Sequence, residues 1–234
     1  MYTIYDYAYN GLLYLNNSLS PVAMVGLQKR YAPAVQILQR RLRKEHLISY
    51  DLHYLTGNYP EGNALLDLYI HPLDLVTYLF DKPEIIACQH VAPASYILML
   101  RHPHIVGTLE LSTAYTWTTA EESLKVCTSS GVYRLSQMEE LIFESKSSTI
   151  FGIPYEKVSS CNRIVEHIYS RNNFTPTLPN NQIYIQGYFN EIQAFLGVVE
   201  CRQNKDITDM QSLRTVYETI AKIQESKNVD PVRD

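Results

Sequence analysis

The sequence predicts an α+β domain built on one large, mostly antiparallel sheet. Two observations carry this. Between Glu84 and Lys146, short apolar and β-branched segments follow one another, separated by Pro, Gly or Ser and with no helical stretch between them. Strands that succeed each other without intervening helices pair antiparallel. On either side of this block, apolar residues recur at helical spacing. A chain of 234 residues buries roughly 70% of its unfolded surface, so it needs no disulfide or metal staple.

Taken in order, residues 6–19 read as a short helix that stops at Asn16-Asn-Ser. Pro21 opens Val22–Leu27, a fully apolar run that reads as a buried strand. Gln28–Pro33 is a polar break. Ala34–Lys44 is a helix with Val35, Leu38 and Leu42 on one side and a basic end, a solvated cap that suits the macrodipole. His46–Leu55 alternates as a strand, and Gly57–Asn63 is a loop. Ala64–Phe80 is apolar almost all round and reads as a buried helix.

The strand candidates are Glu84–Val91, Ser95–Arg101, Ile105–Tyr115, Ser123–Cys127, Val132–Leu135 and Glu139–Ser145, with a hairpin signal at Ser129-Ser-Gly131. Residues 152–182 hold no steady period and form an irregular excursion, with one candidate helix at Asn162–Arg171. Tyr188–Val199 and Met210–Ser226 close the chain as helices, the last capped by Asp206-Ile-Thr-Asp209.

A net charge of −4 does not point to nucleic acid or an anionic membrane. The cysteines Cys88, Cys127, Cys161 and Cys201 form no C-x-x-C pair, which fits a reducing, cytoplasmic setting. No apolar run reaches the ~18 residues of a membrane span, and the first residues do not resemble a signal peptide. The 19 tyrosines suit strands first and polar pockets second. Gly-x-Gly-x-x-Gly, P-loop, Gly-x-Ser-x-Gly and His-Glu-x-x-His motifs are all lacking. His102-Pro-His104 offers two imidazoles on one strand face, too few ligands to argue a metal site.

Chemistry is concentrated in the buried helix. Asp67, His71 and Asp74 interrupt its apolar run at i, i+4, i+7, one face of a continuous helix. A carboxylate beside an imidazole in apolar surroundings can make a proton-transfer site. The plainer reading stands beside it: an Asp in a first helical turn serves the macrodipole, and a lone His is commonly a hydrogen-bonded core residue. Pro72 disfavours a continuous helix, so the regular part starts near His71 and leaves Asp67 in the lead-in.

These segments resemble the Gfo/Idh/MocA oxidoreductases. Val25-Gly-Leu-Gln-Lys-Arg-Tyr-Ala-Pro33 is similar to the stretch where that family's nucleotide domain passes into its second domain. Leu65-Leu-Asp-Leu-Tyr-Ile-His-Pro-Leu-Asp74 is similar to its D-x-x-x-H-x-x-D helix, and Gly187–Phe195 with the helix from Asp209 is similar to its closing helix pair. The nearest branch is the MviM-like one, which carries a virulence-factor label.

The resemblance implies a GAPDH-like C-terminal domain: a large open-faced sheet with helices on one face and the other free to pack on a second subunit, giving a homodimer. It implies that residues 1–27 are the last helix and strand of a Rossmann domain and 28–234 a substrate-binding and oligomerisation domain. It makes Asp67 and His71 catalytic, with His71 as the acid/base for a sugar or polyol hydroxyl, and Arg30, Tyr69 and Asp74 substrate-binding. Tyr69 stands where the family usually has glycine, and its ring is expected to narrow the pocket. NAD or NADP is expected in a full-length parent but not on this chain alone, because the Rossmann half and its E-K-P lysine are missing; Lys82 reads as a surface lysine. The alternative is a stand-alone binding or scaffold module that has lost its cofactor domain. A hydrolase or isomerase finds no nucleophile or oxyanion hole here.

Overall fold

The computed structural model describes residues 24–147, 149–157, 164–172, 174–201 and 210–226. The expected helix at 6–19 and the start of the expected strand at 22–27 lie outside them. Met24–Leu27 are not a strand. A buried strand needs neighbours for its backbone groups, and this stretch instead turns, with the Leu27 N–H on the Val25 carbonyl at 2.9 Å, into a 3-10 turn at Gln28–Tyr31.

Helix α1 (Pro33–Leu42) starts at a proline whose missing N–H costs nothing in a first turn. Strand β1 (Leu47–Gly57) follows. The expected single helix over 64–80 is two pieces, α2 (Ala64–Asp67) and α3 (Ile70–Phe80). The break at Leu68–Tyr69 is the effect expected of Pro72, which cannot donate to the turn before it. Strands β2 (Glu84–Ala92), β3 (Ser95–Arg101), β4 (Val106–Tyr115), β5 (Glu121–Thr128), β6 (Gly131–Ser136) and β7 (Glu140–Ser145) match the expected block closely. A two-residue hairpin, β8 (Thr149–Ile150) and β9 (Ile153–Pro154), stands apart. The candidate helix at Asn162–Arg171 is instead strand β10 (Val165–Ser170), an edge strand on β7. The chain ends with α4 (Gln182–Ile185), α5 (Tyr188–Cys201) and α6 (Met210–Ser226).

The main sheet runs β10-β7-β6-β5-β1-β4-β3-β2. Only β1 and β4 pair in parallel; every other neighbouring pair in it is antiparallel. Its inner face supplies Leu52, Leu98, Leu109, Leu124 and Leu135, all buried in one cluster with Leu38 of α1, Leu75 of α3 and Ile220 of α6. The outer face mixes polar and apolar side chains, with Ile97, Met99 and Val106 exposed on it. One row across it reads Met99, Thr108, Asp51, Lys125, Arg134, Ile142, with Thr108 donating to Asp51 at 2.6 Å. The fold is thus α+β, with an eight-stranded, mostly antiparallel sheet covered by helices on one face.

Candidate functional site

The 3-10 turn at Gln28–Tyr31 organises the polar interior. It packs between α5 and α3. Gly187, at φ +97°, makes the approach to α5 possible, since a Cβ there would collide with the Gln28 carbonyl. Gln28 then donates to the Tyr188 hydroxyl at 3.2 Å, and Asn190 to the Tyr31 carbonyl at 3.0 Å.

Consecutive cations leave this turn for different partners. Lys29 is 5% exposed. Its ammonium meets both Glu122 oxygens at 2.5 and 2.6 Å and lies 5.4 Å from the centre of the Tyr54 ring. Arg30 forms a two-pronged bond to Asp74, with Nε to Oδ2 at 2.7 Å and Nη2 to Oδ1. It also stacks 5.3 Å from the centre of the Tyr78 ring. Asp74 is 1% exposed. Burial pushes its carboxyl up, against the downward pull of Arg30.

His71 sits in the first turn of α3, half-buried. Its Nδ1 is buried and has no hydrogen-bond partner. Burial, aided by the Lys29 charge, lowers it from 6.5 to about 4, so the ring is neutral at physiological pH. Glu191 of α5 is a second buried group of this kind. Its Oε1 has no partner. Burial raises the carboxyl to about 7, opposed by the Leu27 backbone N–H and assisted by nearby Asp74.

The predicted residues do not all meet. Asp67 is exposed and accepts the Asn63 backbone N–H at 2.8 Å, while Asn63 caps the same turn by accepting from Leu65 at 3.1 Å. No hydrogen bond or ion pair joins Asp67 to His71 among the described residues, because the break between α2 and α3 rotates them apart. The expectation for Tyr69 is corrected as well. Its ring is 0% exposed, edge-on to Tyr54 and Tyr96, with the hydroxyl on the Ala94 carbonyl at 2.5 Å. It belongs to the buried core. Arg30 and Asp74 are brought together, but onto each other.

Lys29, Glu122 and Glu191 were not singled out from the sequence. A lysine in a polar break reads as solvent-facing; only the resemblance of the Val25–Pro33 stretch marked that turn as special.

A large cavity lies elsewhere. A depression of about 880 Å³ opens at the far end of α3 and the start of β1, lined by Leu42, Phe80, Arg101, His102, His104 and Ile105 among others; His71 is not part of it. His102 is spent in its wall: Nδ1–H donates to the Asp81 carbonyl at 2.7 Å and Nε2 accepts from the Tyr50 hydroxyl at 2.8 Å. Among the described residues no group of three or more His, Cys, Asp or Glu is placed to hold a metal, and no helix is long and apolar enough to cross a membrane.

No protein-family model matches the chain, and no curated protein matches it. Solved structures do share its fold. A dehydrogenase (MviM) from Clostridium difficile superposes with a TM-score of 0.73 at 14% identity, over 96% of this chain and 68% of that one. A dehydrogenase from Chromobacterium violaceum gives 0.71 at 16%, over 93% and 65%. A levoglucosan dehydrogenase in complex with NADH and L-sorbose gives 0.70 at 14%, over 93% and 68%. The chain spans about two thirds of the length of these solved chains.

Proposed function

We propose that this chain is the substrate-binding and dimerising part of an NAD(P)-dependent sugar or polyol oxidoreductase of the Gfo/Idh/MocA type, with His71 as its proton-exchanging residue. The observation that carries the reading is the state of His71: a neutral, half-buried imidazole with one unpartnered nitrogen, beside a buried ammonium, on a fold shared with dehydrogenases. A neutral imidazole can take the proton of a hydroxyl as its carbon is oxidised. Lys29 then stabilises the charge that develops on the oxygen. The Arg30–Asp74 pair fixes the turn that carries Lys29, and Asp67 fixes the start of the segment that presents His71.

In this reading no dinucleotide sits on the described residues. The sequence lacks a Gly-x-Gly-x-x-Gly turn, and Gly107, Gly131 and Gly187 are packed against protein atoms rather than open to a pyrophosphate. The hydride acceptor is assigned, in this reading, to a separate dinucleotide-binding domain. The outer face of the sheet is the proposed dimer surface, and light scattering should give a dimer mass.

Calorimetric titration of the chain with a panel of sugars and polyols tests the proposal. At least one should bind, and His71→Gln should weaken it roughly tenfold or more, the scale of one lost polar contact. If nothing in the panel binds, or His71→Gln leaves binding unchanged, the reading fails. One observation favours the scaffold alternative: Asp67 is used for capping rather than paired with His71. A scaffold would tolerate His71→Gln without loss of any ligand.

A further inference from the structure

At the C-terminal end of α3 lies a cluster of side chains that the proposed reaction does not use. The depression of about 880 Å³ there has the size of a small-molecule site. Its base is apolar and fixed. Leu42, Phe80 and Ile105 line it and are buried. Phe80 stacks on Tyr50 with 4.7 Å between ring centres, and His102 stands edge-on to Phe80 at 5.7 Å. The His102 backbone N–H donates to the Ile105 carbonyl at 2.8 Å, which closes the turn that carries His104. The margin is polar: Arg43, His46, Arg101 and His104 line the depression and are exposed.

We infer that this depression binds an organic anion, a carboxylate or phosphate ester on an apolar or aromatic body. The charges decide the sign. Arg43 has no carboxylate partner among the described residues; its guanidinium donates to the Gln39 side chain at a long 3.4 Å. Arg101 pairs with Glu84 at 3.5 Å, both well exposed, a contact worth little in water. Two acids also line the depression. Glu45 is spent outside it, accepting from the Ser130 and Tyr133 hydroxyls at 2.5 and 3.1 Å. That leaves the Asp81 carboxylate against two guanidinium groups. Helices α1 and α3 both end here, and open carbonyl ends would favour a cation. These ends are closed instead. The backbone N–H groups of Arg43, Lys44 and Glu45 bond the last turn of α1, and the His102 ring bonds the Asp81 carbonyl at 2.7 Å. His46 and His104 each offer a ring N–H donor in either protonation state.

The backbone supplies a second argument. Asp81 lies at φ +70°, a strained conformation for a residue other than glycine. Strain of this kind gathers at ligand clamps, and here it aims the carbonyl that holds the His102–Ile105 turn in place. His71 is at the other end of α3, an eleven-residue helix about 16 Å long. The inference therefore does not depend on the oxidoreductase reading.

Calorimetric titration of the full chain with phenyl phosphate, phenylacetate and inorganic phosphate tests it. The tighter of the two aromatic anions should bind roughly tenfold or more better than inorganic phosphate, because its ring fills the apolar base; which one it is identifies the head group. Arg43→Gln and Arg101→Gln should each weaken that binding roughly tenfold or more, the scale of a lost charge-assisted hydrogen bond. Arg41→Gln removes a charge from the same helix but outside the depression, where Arg41 pairs with Glu166, and should change the affinity less than about twofold in physiological salt. All three arginines are exposed, and thermal unfolding reports whether each variant still folds. No binding of either aromatic anion would overturn the inference. So would equal affinity for inorganic phosphate, or equal losses in all three variants, which would mean attraction to net charge alone.

Discussion

The two ends of α3 each hold a histidine, and they are built in opposite ways. At the N-terminal end, His71 sits among charges, beside Lys29 with its Glu122 and close to the Arg30–Asp74 pair, and its Nδ1 is left without a partner. At the C-terminal end, His102 has both nitrogens bonded, to the Asp81 carbonyl and the Tyr50 hydroxyl. Burial lowers both, so both rings are neutral near pH 7. The large cavity is at the satisfied end. Volume alone therefore points away from the proposed His71 site: a buried polar atom without a partner costs stability, a cost that a bound ligand would repay.

Substitutions break or sharpen this contrast. The largest expected effect is at the charged end: Asp74→Ala strands Arg30 and should cost about 3–5 kcal/mol in urea unfolding. At the C-terminal end, His102→Ala orphans the buried Tyr50 hydroxyl and the Asp81 carbonyl, and should cost about 2–4 kcal/mol. His71→Gln has no side-chain hydrogen bond to lose among the described residues and should stay within about 1 kcal/mol. If His71→Gln cost as much as His102→Ala, the two ends would be alike and the contrast would collapse.

The smallest effect is a pH dependence that the parent chain hides. Unfolded His71 takes up its proton near 6.5 but folded His71 only near 4, so this group makes stability rise with pH across that window. Glu191 keeps its proton to about 7 when folded against 4.5 when unfolded, so it makes stability fall as pH rises. Each slope is at most about 1.4 kcal/mol per pH unit, and where the windows overlap the two offset each other. Urea midpoints between the acid and neutral limits should therefore rise with pH in Glu191→Gln and fall with pH in His71→Gln. Equal slopes in both variants would refute the opposed pair.

Much of the sheet was legible in the sequence because β2 to β7 alternate or run apolar between clear turn residues. Helix α6 was legible because Leu213, Val216, Ile220 and Ile223 keep helical spacing and are all buried. Strand β10 was not, since an edge strand with half-exposed side chains carries no strong period. The parallel pairing of β1 with β4 was invisible, because local pattern does not specify distant neighbours. At the candidate site, His71 and the turn at Gln28–Tyr31 were marked, while the separation of Asp67 from His71 followed from a break whose rotation spacing cannot give. Glu191 was hidden among the apolar positions of α5; a carboxyl inside an otherwise apolar helical segment was the signal that could have revealed it.

The place of β1 has a consequence for how the chain is assembled. It separates two strand groups, β2-β3-β4 and β5-β6-β7-β10, each of which can zip up from its own hairpins, yet β4 and β5 never touch in the sheet order. Their union waits on a strand that emerges earlier from the ribosome than either group. During synthesis β1 must stay available until β4 arrives, Ser49 finding Val106 nearly sixty residues later, and such distant closures are slow. The step that joins the halves is thus the stage at which a nascent chain is most open to capture by a chaperone or by another copy of itself.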